Sequence, residues 1–509
     1  MKKNKFFNIG ISRVSLILSI INLLLFHYPF FRHVFQNTEG GFNGMVIVTS
    51  LILIMLVANY FAFYLFLYLG RFVGKTLIAI TFILSAVGLY FINAYDIMID
   101  ETMMGNVFNT KYSEASSYFS LTGLLYLIFL GLLPATFVFL VNIDYGKLRK
   151  FFARIGISLV ILIVIAFGNM TNWPWIDKNA TVIGSLLLPW SYTVNSVRYQ
   201  MHQRENNRKE IPLPDATIKD SKKSVVVLII GESARRDHFS LYGYQRQTNP
   251  RLKARESLRA FKAESSATYT TGGVKAMLDY TTTSKLYEIL PNYLYRNGVD
   301  VIWRSSNWGQ PPLHIKKYYT DKDLAKKYPS IDPTHDDILI AGVGDIVKSS
   351  DKNKVFIVLH TSTSHGPTYY KRYPANFEKF TPVCRSVEMS SCPQQEVINA
   401  YDNTILYTDY LIDNVIEQMS TLTEWESTVI YVSDHGESLG EKNLYMHGVP
   451  KSIAPKEQYE IPFLVWTSDK NVKFKNNDEL LQYHVFHSVL SRLSVSSPIY
   501  NNEMDIFEK

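Results

Sequence analysis

The chain has 509 residues, 47% of them hydrophobic and 14% aromatic, with a net charge of +7 and two cysteines. That length exceeds one ordinary core, so two or more domains are expected. Two cysteines exclude a metal site built on thiolates, and the basic residues cluster beside apolar runs, which suits an anionic bilayer better than nucleic acid.

Five apolar runs occupy the first 170 residues: 11–26, 45–68, 76–92, 121–141 and 156–167. Most reach, with their flanks, the ~20 residues that cross a hydrocarbon core; the first and last are the shortest. Lys2, Lys3, Lys5 and Arg13 precede or enter the first run. Arg71 and Lys75 separate the second and third, and Lys147, Arg149, Lys150 and Arg154 the fourth and fifth. The other two connections hold little positive charge. This asymmetry predicts a cytoplasmic N-terminus and places everything after the fifth run outside the cytoplasm. The first run is read as a span, because His27-Tyr28-Pro29-Phe30-Phe31 is no small-residue cleavage site. Residues 1–170 are therefore expected to form a five-helix transmembrane domain.

The next segment, 171–222, changes character. Arg198, Arg204, Arg208 and Lys209 stand among polar residues, with Pro212 and Pro214 beyond. It reads as an amphipathic helix on the membrane surface followed by a short linker, or as an ordinary charged linker.

Residues 223–509 read as an α/β domain. Short β-rich runs at 225–230, 299–303, 355–359, 428–432 and 461–466 alternate with helical patterns. Each has the continuous apolar character of a buried parallel strand, so a sheet covered by helices on both faces, an αβα sandwich, is expected. Ligands of such sheets bind beyond the carboxyl ends of the strands. There the sequence sets Gly231-Glu232-Ser233 after the first strand, His360 through His365 after the third, and Asp434-His435-Gly436-Glu437 after the fourth. Carboxylate and imidazole are the oxygen and nitrogen ligands that zinc takes. Taken singly, a Glu after a strand is usually a cap and a lone His a packing residue; the adjacent Asp434-His435 pair is the stronger signal. Thr270-Thr271-Gly272-Gly273 precedes a helical pattern over 274–280. A hydroxyl there would feel the positive end of the helix dipole, and bonded to a metal it would lose its proton readily. Out of context the same threonine is a helix cap.

The soluble half resembles the phosphoethanolamine transferases of the alkaline phosphatase/sulfatase superfamily, the lipid A transferases of polymyxin resistance among them. The motifs carrying the resemblance are VLIIGESARRDHFSLYGYQRQTNP at 227–250; His365-Gly366-Pro367 with Tyr369, Tyr370, Arg372 and Tyr373; Cys384 through Asp409 with Asn399-Ala400-Tyr401-Asp402-Asn403; and 433–440 with His447-Gly448-Val449-Pro450. The resemblance implies that Glu232, Thr271, Asp434 and His435 are the ligands of Zn2+, with Thr271 also the nucleophile that carries the covalent intermediate. It implies that His365 and His447 hold the substrate phosphate and can bind a second zinc. In the membrane half, Asn106, Thr110 and Glu114 match a loop pattern, Asn-x3-Thr-x3-Glu, whose family counterparts contact the ethanolamine phosphate head group. Ala267 and Met277 stand where the family often brackets its nucleophile with cysteines, which loosens the register between Thr270 and Thr271. A periplasmic Cys384–Cys392 bridge is expected. A lysine that some members place near the site has no counterpart in 304–312.

The implied function is transfer of phosphoethanolamine from phosphatidylethanolamine to a cell-envelope acceptor, lipid A phosphate first and core sugar or protein as alternatives, in a bacterial inner membrane with the catalytic domain in the periplasm. The rivals are a phosphoglycerol transferase of the same superfamily, a sulfatase or phosphodiesterase that uses water, and a membrane sensor with a dead domain. The 399–403 segment and the Asn106 pattern favour phosphoethanolamine, the membrane half disfavours a hydrolase, and the intact ligand set disfavours a sensor.

Overall fold

The computed structural model describes residues 8–38, 41–110, 115–116, 118–169, 172–206, 210–283, 285–386, 389–441, 444–476 and 479–508. The chain divides into two compact units, Met1–Met201 and His202–Lys509.

The first unit is helical. Its helices are α1 (Ile11–Phe26), α2 (Tyr28–Asn37), α3 (Phe42–Leu69), α4 (Arg71–Tyr95), α5 (Glu101–Asn109), α6 (Leu121–Leu140), α7 (Leu148–Gly168), α8 (Trp173–Leu186) and α9 (Trp190–Asn206). Among the described residues α3, α4, α6 and α7 are each long and apolar enough to cross a membrane. The pair α1 and α2, bent by 65°, makes a fifth span if counted as one. The bend falls at His27, where Pro29 opens the second helix; its missing N–H suits a first turn and its ring would disrupt an interior. Only 11% of the apolar window of α7 is buried, and Leu159, Val160, Ile163, Val164 and Phe167 are exposed. Water would not tolerate such a face; hydrocarbon does. The protein is a multi-pass membrane protein.

Polar side chains tie this bundle together. Asn59 donates to Asn22 Oδ1 at 2.8 Å and accepts from Trp190 Nε1 at 2.9 Å, while Asn195 donates to the Ile99 carbonyl at 2.8 Å. In an apolar surrounding such groups must find one another. The helix α8, and α9 as far as Met201, lie in the first unit, where Trp190 and Asn195 make these hydrogen bonds.

The second unit is built on an eight-stranded sheet. Its strands are β1 (Ser224–Gly231), β2 (Leu258–Glu264), β3 (Asp300–Ser305), β4 (Lys317–Thr320), β5 (Lys354–His360), β6 (Glu426–Ser433), β7 (Glu460–Thr467) and β8 (Leu480–Leu481), in the spatial order 8-2-7-6-1-5-3-4. The strands β6, β1, β5, β3 and β4 are mutually parallel, and β7 runs against both neighbours. All eight residues of β1 are buried, as a central strand covered on both faces requires. On one face Val226, Leu228 and Ile230 join a core with Val274, Tyr293 and Phe486 from three helices. The long helix Gln394–Ser420 packs against β6. The fold is the expected sulfatase-like α/β domain following a membrane bundle along the chain. The strands β2, β4 and β8, at or next to the sheet edges, do not stand out in the sequence as apolar runs.

Candidate metal and phosphoryl-transfer site

The site follows from strand order. Because β1 lies between β6 and β5, their carboxyl ends are adjacent, and Gly231 pairs with Ser433 in register. The next residues, Glu232-Ser233 and Asp434-His435, therefore leave the sheet side by side. Ser233 is left-handed at φ 53°, a conformation that costs a non-glycine residue on the order of 1 kcal/mol. Three bonds hold it there. Its N–H donates to Asp434 Oδ1 at 3.0 Å, its hydroxyl donates to Glu232 Oε1 at 2.7 Å, and its carbonyl accepts from the Tyr401 hydroxyl at 2.7 Å.

Glu232, Asp434 and His435 are almost wholly buried. His435 Nδ1 lies 2.8 Å from the Gly436 carbonyl, which assigns the proton to Nδ1 and leaves Nε2 a bare lone pair. That lone pair faces Glu232 Oε1 at 3.5 Å, Asp434 Oδ2 at 3.4 Å and a threonine Oγ1 at 3.4 Å. Asp434 Oδ2 has no hydrogen-bond partner. Two buried carboxyls and a bare imidazole nitrogen crowded this closely, one carboxyl oxygen with no partner, are unfavourable unless a cation lies among them. Their separations match the edges, about 3.3 Å, of a tetrahedral ion with bonds near 2.0–2.1 Å. The donor set thus fits zinc. Burial pushes the Asp434 carboxyl well above its usual range, with the charge of Glu232 adding to the shift. Burial also lowers the His435 imidazole to about 4, which suits a ligand rather than an acid.

The threonine in this contact is Thr270. Thr270 Oγ1 lies 3.5 Å from Glu232 Oε2 and 3.4 Å from His435 Nε2. The helix α10 (Thr270–Leu278) begins at Thr270 itself, so both glycines lie inside its first turn. Gly273 seats that turn on the strand end: a Cβ there would meet the Asp434 carbonyl oxygen at 2.0 Å. Both γ-methyls lie near Gly309, 3.1 Å for Thr270 and 3.3 Å for Thr271 from where a Cβ on that glycine would be. Successive helical residues point about 100° apart, so only one of two adjacent threonines can enter the cluster.

The histidines of the other loops converge on the same place. Glu232, His435 and His447 offer ligand atoms within 4.8 Å of one another. The rings of His435 and His447 are 4.1 Å apart and those of His365 and His447 5.9 Å. Glu437 lies 3.1 Å from His447 Nδ1, and burial lifts its carboxyl to about 8. Two residues escaped the sequence reading. Asn307, just beyond β3, donates to Glu232 Oε2 at 2.6 Å, and Gln482 donates to the Ser433 and Asp434 carbonyls at 2.9 and 2.8 Å. The strand-end rule could have found Asn307; nothing local marks Gln482.

Cys384 and Cys392 are joined in a disulfide. In the membrane unit the expected loop pattern is a helix: Asp100 caps α5 by accepting from the Met103 N–H at 2.8 Å. Asn106 and Thr110 lie one turn apart, the Thr110 hydroxyl donating to the Asn106 carbonyl at 2.7 Å. Glu114 lies outside the described residues.

Comparison with known proteins agrees with this architecture. The Sulfatase family matches residues 224–495, and the family described as phosphoethanolamine transferase EptA/EptB matches residues 55–204. Phosphoethanolamine transferase EptA of Helicobacter pylori is 36% identical, covering 97% of this chain and 96% of that protein. Phosphatidylethanolamine transferase Mcr-1 of Escherichia coli is 32% identical over 78% of this chain and 79% of its own. The solved integral membrane lipooligosaccharide phosphoethanolamine transferase A of Neisseria meningitidis matches with a TM-score of 0.88 at 28% identity, covering 98% of this chain and 99% of that one. A multi-pass membrane bundle followed along the chain by a sulfatase-type catalytic domain is the architecture in hand. The chain belongs to the phosphoethanolamine transferase family.

Proposed function

We propose that this enzyme moves phosphoethanolamine from phosphatidylethanolamine to the lipid A part of the envelope glycolipid, with Thr270 as the covalent carrier. The observation that carries the reading is the approach of Thr270 Oγ1 to Glu232 and His435 at the strand ends, in a chain that also spans the bilayer where both lipids reside. The acceptor class is supported by the lipooligosaccharide named for the Neisseria relative.

Glu232, Asp434, His435 and Thr270 would hold one zinc ion. Zinc bound there supplies a Lewis acid that eases loss of the hydroxyl proton and offsets charge on phosphoryl oxygens. Thr270 Oγ1 attacks the phosphorus of the donor. The bond to the glycerol oxygen breaks, and diacylglycerol departs with a proton. An acceptor phosphate oxygen then attacks the phosphorus, the bond to Thr270 Oγ1 breaks, and the proton the acceptor phosphate gives up restores the hydroxyl. His365 and His447 hold the phosphoryl oxygens during both steps, and Asn106, Thr110 and Glu114 hold the ethanolamine head group. Mass spectrometry of lipid A from cells with and without the gene tests the reading. A gain of one phosphoethanolamine on lipid A is the expected result; a gain only on core sugar or protein would refute the acceptor.

The bilayer concerned is the bacterial inner membrane, with the catalytic domain on the periplasmic side. Arg71 and Lys75 in the first turns of α4, and Lys147, Arg149 and Lys150 at the start of α7, support that orientation. A phosphatase reporter that folds only outside the cytoplasm, fused after Lys222, is expected to be active. An inactive reporter there, with a cytoplasm-only reporter active at the same point, would reverse the topology.

A further inference from the structure

We infer that Asn307 is a positioning residue for the metal site, orienting the Glu232 carboxylate through its side-chain amide; the inference rests on the zinc reading of the site. Asn307 is buried in the loop that leaves β3. Its Nδ2 donates to Glu232 Oε2 at 2.6 Å and to the Thr361 carbonyl at 2.8 Å, and its Oδ1 accepts from the Trp308 N–H at 2.8 Å. All three partners agree on one amide orientation, since the flipped amide would set Oδ1 against two acceptors and Nδ2 against a donor. The residue is itself clamped: Ser305 Oγ donates to the Asn307 carbonyl at 2.9 Å and accepts from its N–H at 3.1 Å.

The consequence falls on Glu232. Ser233 grips Oε1 at 2.7 Å and Asn307 grips Oε2 at 2.6 Å, so the carboxylate cannot rotate between them. Its two oxygens are thereby presented to His435 and Thr270. A partner that fixes a ligand's orientation usually contributes about 10- to 100-fold to metal affinity. Asn307 therefore acts on zinc through Glu232.

The test is zinc binding by the full-length protein in detergent, titrated against a competing chelator, with melting of the metal-free protein measured alongside. Asn307→Ala is expected to weaken zinc about 10- to 100-fold while the metal-free melting temperature falls by no more than about 4 °C. Ser305→Ala, which loosens the clamp without touching Glu232, is expected to weaken zinc by a smaller factor in the same direction, and it decides the matter if Asn307→Ala does not fold. Unchanged zinc affinity in the folded variants, with transfer alone lost, would overturn the inference and assign Asn307 to the substrate. Wild-type protein that binds no zinc, or Glu232→Gln that binds it as tightly as wild type, would instead remove the zinc reading beneath it.

Discussion

Thr270→Ala is expected to lower transfer by at least about 10^3-fold, whereas Thr271→Ala keeps most of it. Losing a covalent nucleophile removes the intermediate itself, and such losses are large and hard to bypass. Thr270 Oγ1 lies 3.4 Å from His435 Nε2, and the next helical residue, Thr271, points about 100° away. Thr270→Ala should also fold, because the helix start is held by the seat of Gly273 on the Asp434 carbonyl rather than by the hydroxyl. The measurement is transfer to a lipid A acceptor with purified variants, together with intact mass after exposure to phosphatidylethanolamine alone. Wild type and Thr271→Ala should each gain one phosphoethanolamine, and Thr270→Ala none. Activity in Thr270→Ala with its loss in Thr271→Ala would show that the helix start is rotated by a residue; activity in both would end the covalent mechanism.

That pair of threonines marks the limit of what the sequence discloses. The five central strands are legible because each is a short apolar run buried on both faces, and the strand-end rule then gathers Glu232, Asp434 and His435 without knowledge of any contact. Choosing between Thr270 and Thr271 needs the helical phase. Reading Gly272-Gly273 as a turn before the helix puts Thr271 at the junction. In the structure the glycines are helical, and the second is required by close approach to the Asp434 carbonyl. The strand β2, next to the edge strand β8, is less legible for a different reason: it is half exposed and mixes Arg259 and Lys262 with apolar residues, so it lacks a continuous pattern. Residues that orient ligands, such as Asn307 and Gln482, are invisible because a lone amide in a loop has no signature until its partners are placed. In the membrane half the apolar runs are legible as spans, but the bend at His27 and the hydrogen bonds of Trp190 and Asn195 depend on contacts across the bundle.

Asp434→Asn is expected to abolish zinc binding and transfer, yet to raise the stability of the metal-free protein. Asp434 Oδ1 already accepts from the Ser233 and His435 N–H groups at 3.0 and 2.7 Å, and an asparagine oxygen can accept both. Oδ2 is buried, has no partner, and lies 3.4 Å from the bare Nε2 of His435. Replacing that oxygen by an NH2 group turns an acceptor facing an acceptor into a donor facing an acceptor. Removing a buried carboxyl that must either stay charged or take up a proton on folding, and supplying a hydrogen bond, should stabilise by about 1–3 kcal/mol, a rise of roughly 2–4 °C for each kcal/mol in a domain of this size. Zinc reverses the order. An ion at 100 times its Kd stabilises the protein that binds it by about 2.7 kcal/mol, so wild type should melt higher with zinc than without, and Asp434→Asn should not respond. The experiment is thermal melting of both proteins after chelation and again after zinc is returned, with transfer assayed at each stage. Chelated wild type should lose transfer and regain it with zinc. If Asp434→Asn melted below chelated wild type, the bare acceptor cluster would not be the strained element inferred here. If it still rose in melting temperature with zinc, Asp434 would not be a ligand.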